Sequence, residues 1–153
     1  MRRAHATFSR QLAPKKGPPK VGNENHDWVP MSYELMFWRQ AAMMTLSSKA
    51  IYESLNENRA VDGLSDLPIE DMISDLTSLF PDAMRESNDS RESIAWFSQN
   101  QEDSFRATWS AQHFRVDCNR LPLNQVNEIV NMSAKYGCPL YDPQTGERFR
   151  LSS

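Results

Sequence analysis

Three side chains in the second half of the chain, His113, Arg115 and Asp117, have the types and spacing that polar chemistry needs. In an extended segment alternate residues share a face, so an imidazole, a guanidinium and a carboxylate stand together there. Such a trio can move a proton and hold an anion, which is the pattern of a small enzyme of unspecified type. Cys118 follows at once and invites a second idea, a thiol nucleophile with His113 as its base. The same alternation turns Cys118 to the other face and argues against that pair. The chain's three His (His5, His26, His113) never fall into metal-ligand spacing. Cys118 and Cys138 are too isolated for a zinc site or a disulfide scaffold, and reduced, buried thiols or a single pairing both remain open. Five scattered Gly form no phosphate loop. The residues therefore single out no catalytic, cofactor or metal group, and a non-enzymatic protein is the expectation.

A different chemistry is written on the helix that follows Pro68. Ile69, Met72, Ile73, Leu76, Leu79 and Phe80 recur at helical spacing and predict an amphipathic helix ending before Pro81. Its other face carries Glu70, Asp71 and Asp75, with Asp66 just ahead. These four acids read as a solvated face suited to a helix N-terminus, or as a docking surface for a basic partner. Charge distribution bears on the choice. The chain's net charge is −3, but residues 1–30 hold six Lys/Arg against two Asp/Glu, and the remainder holds eleven against eighteen. A body at −7 is a poor binder of nucleic acid, whose phosphates need clustered cations, and it steers towards basic proteins.

The elements that must position these groups follow from periodicity. Ser32–Trp38 alternates Tyr33, Leu35 and Phe37 with Glu34, Met36 and Trp38 and predicts a central strand covered on both faces. Glu34 is odd in that setting. It reads as a functional inward carboxylate, or as a strand-end residue reaching water. Arg39–Leu46 connects to a helix capped by Thr45 or Ser47 and running to about Asn58, with Ile51, Tyr52 and Leu55 as its apolar stripe. Asp82–Arg91 is polar and turn-rich. Strands are expected at Glu92–Gln99, Ser104–Ser110 and Gln112–Asn119, the last two as a hairpin with one wet face bearing Arg106, Arg115 and Asp117. A last helix, Leu123–Tyr136, buries Leu123, Val126, Ile129, Val130, Ser133 and Ala134 and stops at Gly137. Cys138–Tyr141 is extended, and Asp142-Pro143-Gln144-Thr145-Gly146 is a turn. The fold class expected is α+β: a mainly antiparallel sheet with about three helices packed on one face, in the order β-α-α-β-β-β-α-β.

Residues 1–30 differ from this body. Arg, Lys, Pro and Gly dominate and no hydrophobic periodicity is sustained, so a disordered basic extension is expected, with residues 31–153 forming one α+β domain. Met31 reads as a working start. No apolar run approaches the roughly 18 residues that a membrane span requires.

Two stretches together resemble a known group. Met31–Trp38 (MSYELMFW) and Cys138–Phe149 (CPLYDPQTGERF) are similar to the two ends of a family of small, largely uncharacterised bacterial proteins. Those begin with a Met-Ser-Tyr-acidic-Leu strand, carry a helix and a Trp-bearing strand in the middle, and end in a Leu-Tyr-Asp-Pro-Gln-x-Gly hairpin after a helix. The resemblance covers Met31 to about Arg150. Some members look like immunity proteins of contact-dependent or polymorphic toxin systems. What the resemblance implies is a cytoplasmic, non-enzymatic protein whose partner is a cognate protein toxin, expected to be basic. It brings no catalytic residues, and its motifs bear on fold more than on activity. Candidate contacts remain Asp66, Glu70, Asp71 and Asp75.

Overall fold

A computed structural model describes residues 32–40, 44–88 and 91–149. The expected extension at 1–30 and residues 41–43 of the Arg39–Leu46 connection lie outside the described residues. The described elements run β1 (Ser32–Phe37), α1 (Ser48–Asn56), α2 (Ile69–Leu79), β2 (Met84–Asn88), β3 (Arg91–Phe97), β4 (Ser104–Trp109), β5 (Phe114–Asn119), α3 (Leu123–Lys135), β6 (Leu140–Asp142) and β7 (Glu147–Arg148). The fold is α+β, and its strands form one seven-stranded sheet in the order β2-β3-β4-β5-β1-β6-β7. Every pairing is antiparallel.

The sequence order holds, with two strands added: β2, and the two-residue β7 that closes the terminal hairpin. Met84–Asn88, which reads as turn-rich polar chain, is the edge strand β2, and all five of its residues are exposed. An edge strand with neither face buried carries no hydrophobic alternation, so periodicity cannot register it. It pairs along its whole length with β3, Met84 opposite Ala95 and Asn88 opposite Arg91.

β1 is covered on both sides, as its two apolar faces predict. Tyr33, Leu35 and Phe37 enter the main core, with Met72, Ile73 and Leu76 of α2, Val126, Ile129 and Val130 of α3, and Phe105, Phe114 and Val116 of the sheet. Met36 and Trp38 point the other way, into a second cluster with Ile51 and Leu55 of α1, Val61, Leu64 and Tyr141. The three helices therefore do not share one face. α2 and α3 cover one side of the sheet, and α1 covers part of the other. The reason is in β1 itself: Met36 and Trp38 need a cover, and α1's stripe is the apolar surface close in sequence. Burying Ile51 and Leu55 contributes roughly 1.5–3 kcal/mol each. That outweighs the cap, in which the Ser47 hydroxyl accepts from Ala50 N at 3.1 Å and which contributes about 1 kcal/mol.

α2 follows Pro68 and ends at Leu79. Of its expected stripe, Met72, Ile73, Leu76 and Phe80 are buried, whereas Leu79 stays exposed at 38%. α3 buries every residue expected of it and adds Met132. Gly137 (φ +80°) then turns the chain out of the helix. In the terminal turn the N–H groups of Thr145 and Gly146 donate to the Asp142 carbonyl, and Gly146 (φ +77°) supplies the positive φ that the turn requires. β6 pairs with β1 only through Met36↔Tyr141 and Phe37↔Leu140. Beyond that point the Gln144 side chain continues the ladder. Glu34 N donates to Gln144 Oε1 at 2.6 Å, and Gln144 Nε2 donates to the Glu34 carbonyl at 3.1 Å. A side-chain amide thus stands in for a strand residue.

Candidate functional site

The sheet face beneath α1 carries a connected polar cluster drawn from three elements. Glu34 of β1 lies opposite Asp117 of β5, and Arg115 is two residues along on the same face. Tyr52 and Asn56 of α1, four residues apart on one helix face, reach down to them. Arg115 Nε and Nη2 donate to the Asp117 carboxylate at 3.2 and 3.1 Å. Nη2 also meets Glu34 Oε1 at 3.3 Å, and Nη1 donates to Asn56 Oδ1. The Tyr52 hydroxyl donates to Glu34 Oε2 at 2.9 Å.

The electrostatics follow from two carboxylates sharing one guanidinium under partial cover. Burial raises the Glu34 pKa, opposed by the Tyr52 hydrogen bond and the Arg115 charge. Burial, with the Glu34 bond behind it, pushes Tyr52 up to about 12. Burial alone would lower Arg115, but its bonds to Asp117 and the nearby acids more than offset this and hold it above its usual value. Glu34, a candidate only as an isolated oddity in the sequence, is therefore a full member of the cluster. Tyr52, read as an apolar stripe residue, contributes its hydroxyl.

His113 is next to this cluster rather than in it. Its ring is buried, and Ser110 Oγ lies 2.7 Å from Nδ1. Gln112 N donates to Ser110 Oγ, and Ser110 N donates to the His113 carbonyl, so the contact also locks the β4–β5 turn. Burial pushes the imidazole down to about 4, helped by the charges of Arg115 and Arg91. Among the described residues no carboxylate backs the ring, and a neutral His so placed lies far below the pKa of a base poised for neutral pH. His113 and Arg115 do line one small cavity, of about 50 Å³, while Asp117 is not among its lining residues. Of the expected trio, the structure joins Arg115 to Asp117 by hydrogen bonds and sets His113 beside Arg115 across a cavity. The fourth polar strand residue, Arg106, lies opposite Asp117 in register, yet its guanidinium bonds Ser93 Oγ at 3.0 Å and Glu86 at 3.1 Å.

The acids of α2 divide into two kinds. Glu70 is held by Arg85, whose Nη1 and Nη2 donate to its two oxygens at 3.1 and 3.0 Å; this keeps its carboxyl below the usual range. Asp75 takes Lys135 Nζ at 2.6 Å and the Tyr136 hydroxyl at 2.5 Å, and both lower its pKa. Asp66 and Asp71 are exposed, and among the described residues neither side chain has an ion-pair partner. Their backbone carbonyls do bond, Asp66 O with Arg39 Nη2 at 2.8 Å and Asp71 O with the Tyr136 hydroxyl at 3.4 Å. That leaves the carboxylates available while fixing the chain that carries them.

Cys118 and Cys138 are free and buried. Cys118 lies opposite Tyr33 on the far side of the sheet from the Arg115 cluster, and burial raises its pKa. Burial takes Cys138 to about 11. Neither is a nucleophile of the thiolate kind. Among the described residues no group of three His, Cys, Asp or Glu is placed to hold a metal ion, and no helix is long and apolar enough to cross a membrane. Comparison with known proteins returns no match among protein-family models, curated sequences or solved structures.

Proposed function

We propose that this chain is a non-enzymatic binding protein that docks a basic protein through the acidic side of α2. The observation that carries the reading is the pair Asp66 and Asp71, exposed carboxylates with no ion-pair partner among the described residues. They stand at the start of a helix in a body of net charge −7 beyond residue 30. Such an arrangement raises the encounter rate with a cationic surface and rejects an anionic one. Glu70 and Asp75 belong to the same surface but are already compensated by Arg85 and Lys135. They would hold the helix in place more than they would bind. The kind of partner comes from the resemblance of the chain's two ends to immunity-like bacterial proteins. On that reading the partner is a cognate protein toxin with a basic domain, met in the cytoplasm, and neither nucleic acid nor membrane is engaged. Co-expression with the product of the gene immediately upstream tests it. Co-purification of the two, together with protection of the cells from that product, is the expected result. Growth arrest despite abundant folded chain would sink the immunity reading.

A second reading, a small enzyme using His113, Arg115 and Asp117, has one observation in its favour: His113 and Arg115 line the same cavity. Against it, Arg115 is bonded to Asp117, Glu34 and Asn56, and His113 has its pKa far below neutrality.

A further inference from the structure

The cavity beneath the end of α1 has a lining that the binding reading does not use. Its walls are Leu55, Asn56, Asn58, Arg91, Thr108, Trp109, His113 and Arg115. Two guanidiniums, an imidazole, two carboxamides and a hydroxyl line one small space, and among the described residues no carboxylate lines it. At about 50 Å³ the space exceeds the roughly 30 Å³ of one water in the liquid and suits one compact oxyanion. A second cavity of about 250 Å³ lies alongside and shares Leu55 and Asn58 with the first; Ala60, Ala111, Ser110 and Gln112 are among its other walls.

The polar groups are also set in the right sense. Ser110 Oγ accepts from Gln112 N and lies 2.7 Å from His113 Nδ1, to which it can donate when the ring proton is on Nε2. That tautomer leaves Nε2–H as a donor for a ligand. Arg115 is fixed by Asp117, Glu34 and Asn56, which hold its plane, offset its charge and already engage each of its three nitrogens. Arg91 has no ion-pair partner among the described residues and supplies the net positive charge. Backed guanidiniums, a neutral N–H donor and a hydroxyl are the groups that bind a carboxylate or phosphate by charge-assisted hydrogen bonds.

We propose that this cleft is a binding site for a small molecule bearing one compact oxyanion, with the oxyanion on Arg91, Arg115 and His113 and the remainder in the larger cavity beyond Leu55. The oxyanion end stands apart from the α2 acids, whereas Asp66 is a wall of the larger cavity, so Arg91→Gln rather than any change at Asp66 separates this site from the docking reading. Sharing Arg115 with two carboxylates weakens the hold, and millimolar affinity or somewhat tighter is expected.

The test is an NMR titration of the full chain with three probes: inorganic phosphate, benzoate, and neutral benzyl alcohol. The His113 ring protons and the Arg91 and Arg115 Nε–H signals are followed. Saturable shifts with benzoate or phosphate and none with benzyl alcohol are predicted, and the stronger of the two anions assigns the ligand class. Arg91→Gln, on an exposed strand residue, is predicted to weaken the binding at least fivefold with an unchanged melting temperature. Absence of saturable shifts with both anions, equal shifts with benzyl alcohol, or undiminished affinity in Arg91→Gln would each overturn the proposal.

Discussion

At the scale of single residues, Gln144 shows how a turn motif can have a second task. Asp142, Pro143 and Gly146 make the turn, while Gln144 bonds both backbone groups of Glu34 where β6 has run out. Its amide also contacts the buried Asp142 carboxylate, which accepts from Gln144 N at 2.9 Å. Gln144→Ala removes two bonds to backbone and is predicted to cost about 1–2 kcal/mol in urea unfolding; an unchanged midpoint would show that water replaces the amide at no loss. His113 gives the chain a pH signature. Its folded pKa, about 4, lies below the ordinary 6.5. The unfolded chain therefore binds the proton more readily, and the contribution to stability is full above pH 6.5 and lost as pH falls towards 4 and below. The shift corresponds to roughly 3 kcal/mol. Glu34 and Asp142, whose pKa values burial raises, act in the opposite sense over the acid part of that window. His113→Asn is predicted to flatten the fall in unfolding free energy between pH 6.5 and 4.5, whatever it costs at pH 7. An unaltered slope would remove His113 as its source. None of this was legible in the sequence, where Gln144 was one polar residue of a turn and His113 a candidate base.

At the scale of elements, periodicity located every helix and all the buried strands, because each of those buries one face or two. Met84–Asn88 escaped because β2 is exposed throughout. The side on which each helix lies was legible only in part. β1's two apolar faces called for cover on both sides, but nothing in α1's own pattern says which side it takes. Met36 and Trp38 decide it. The consequence is chemical: α1 brings Tyr52 and Asn56 over Glu34, Arg115 and Asp117, closing what would have been a flat wet sheet. Tyr52→Phe tests that closure. It takes away the donor to Glu34 Oε2, leaves a half-buried carboxylate short of a partner, and is predicted to cost about 1–2 kcal/mol at pH 7. The bond lowers the Glu34 pKa, so its loss raises that pKa further and the cost shrinks as the solution is acidified through it. Equal destabilisation at pH 7 and pH 4 would mean that the hydroxyl serves packing alone.

At the scale of the molecule, net charge and its placement carry the functional reading. The negative balance beyond residue 30 is legible in composition, and so is the run of acids around α2. What composition cannot show is which acids are already answered. Arg85 reaches Glu70 from β2, fifteen residues on, and Lys135 reaches Asp75 from α3, sixty residues on. Only the fold makes those neighbours. It leaves Asp66 and Asp71 as the carboxylates that a basic partner would meet first. Their neutralisation should change association more than fold, since exposed charges contribute little to stability. The direct test is calorimetric titration of the upstream gene product into the wild-type chain and into Asp66→Asn/Asp71→Asn at low salt. The expected result is a complex whose affinity falls at least tenfold in the double variant and falls with added salt, with the melting temperature unchanged. A complex of equal affinity in both proteins, or no complex with the wild type, would contradict it.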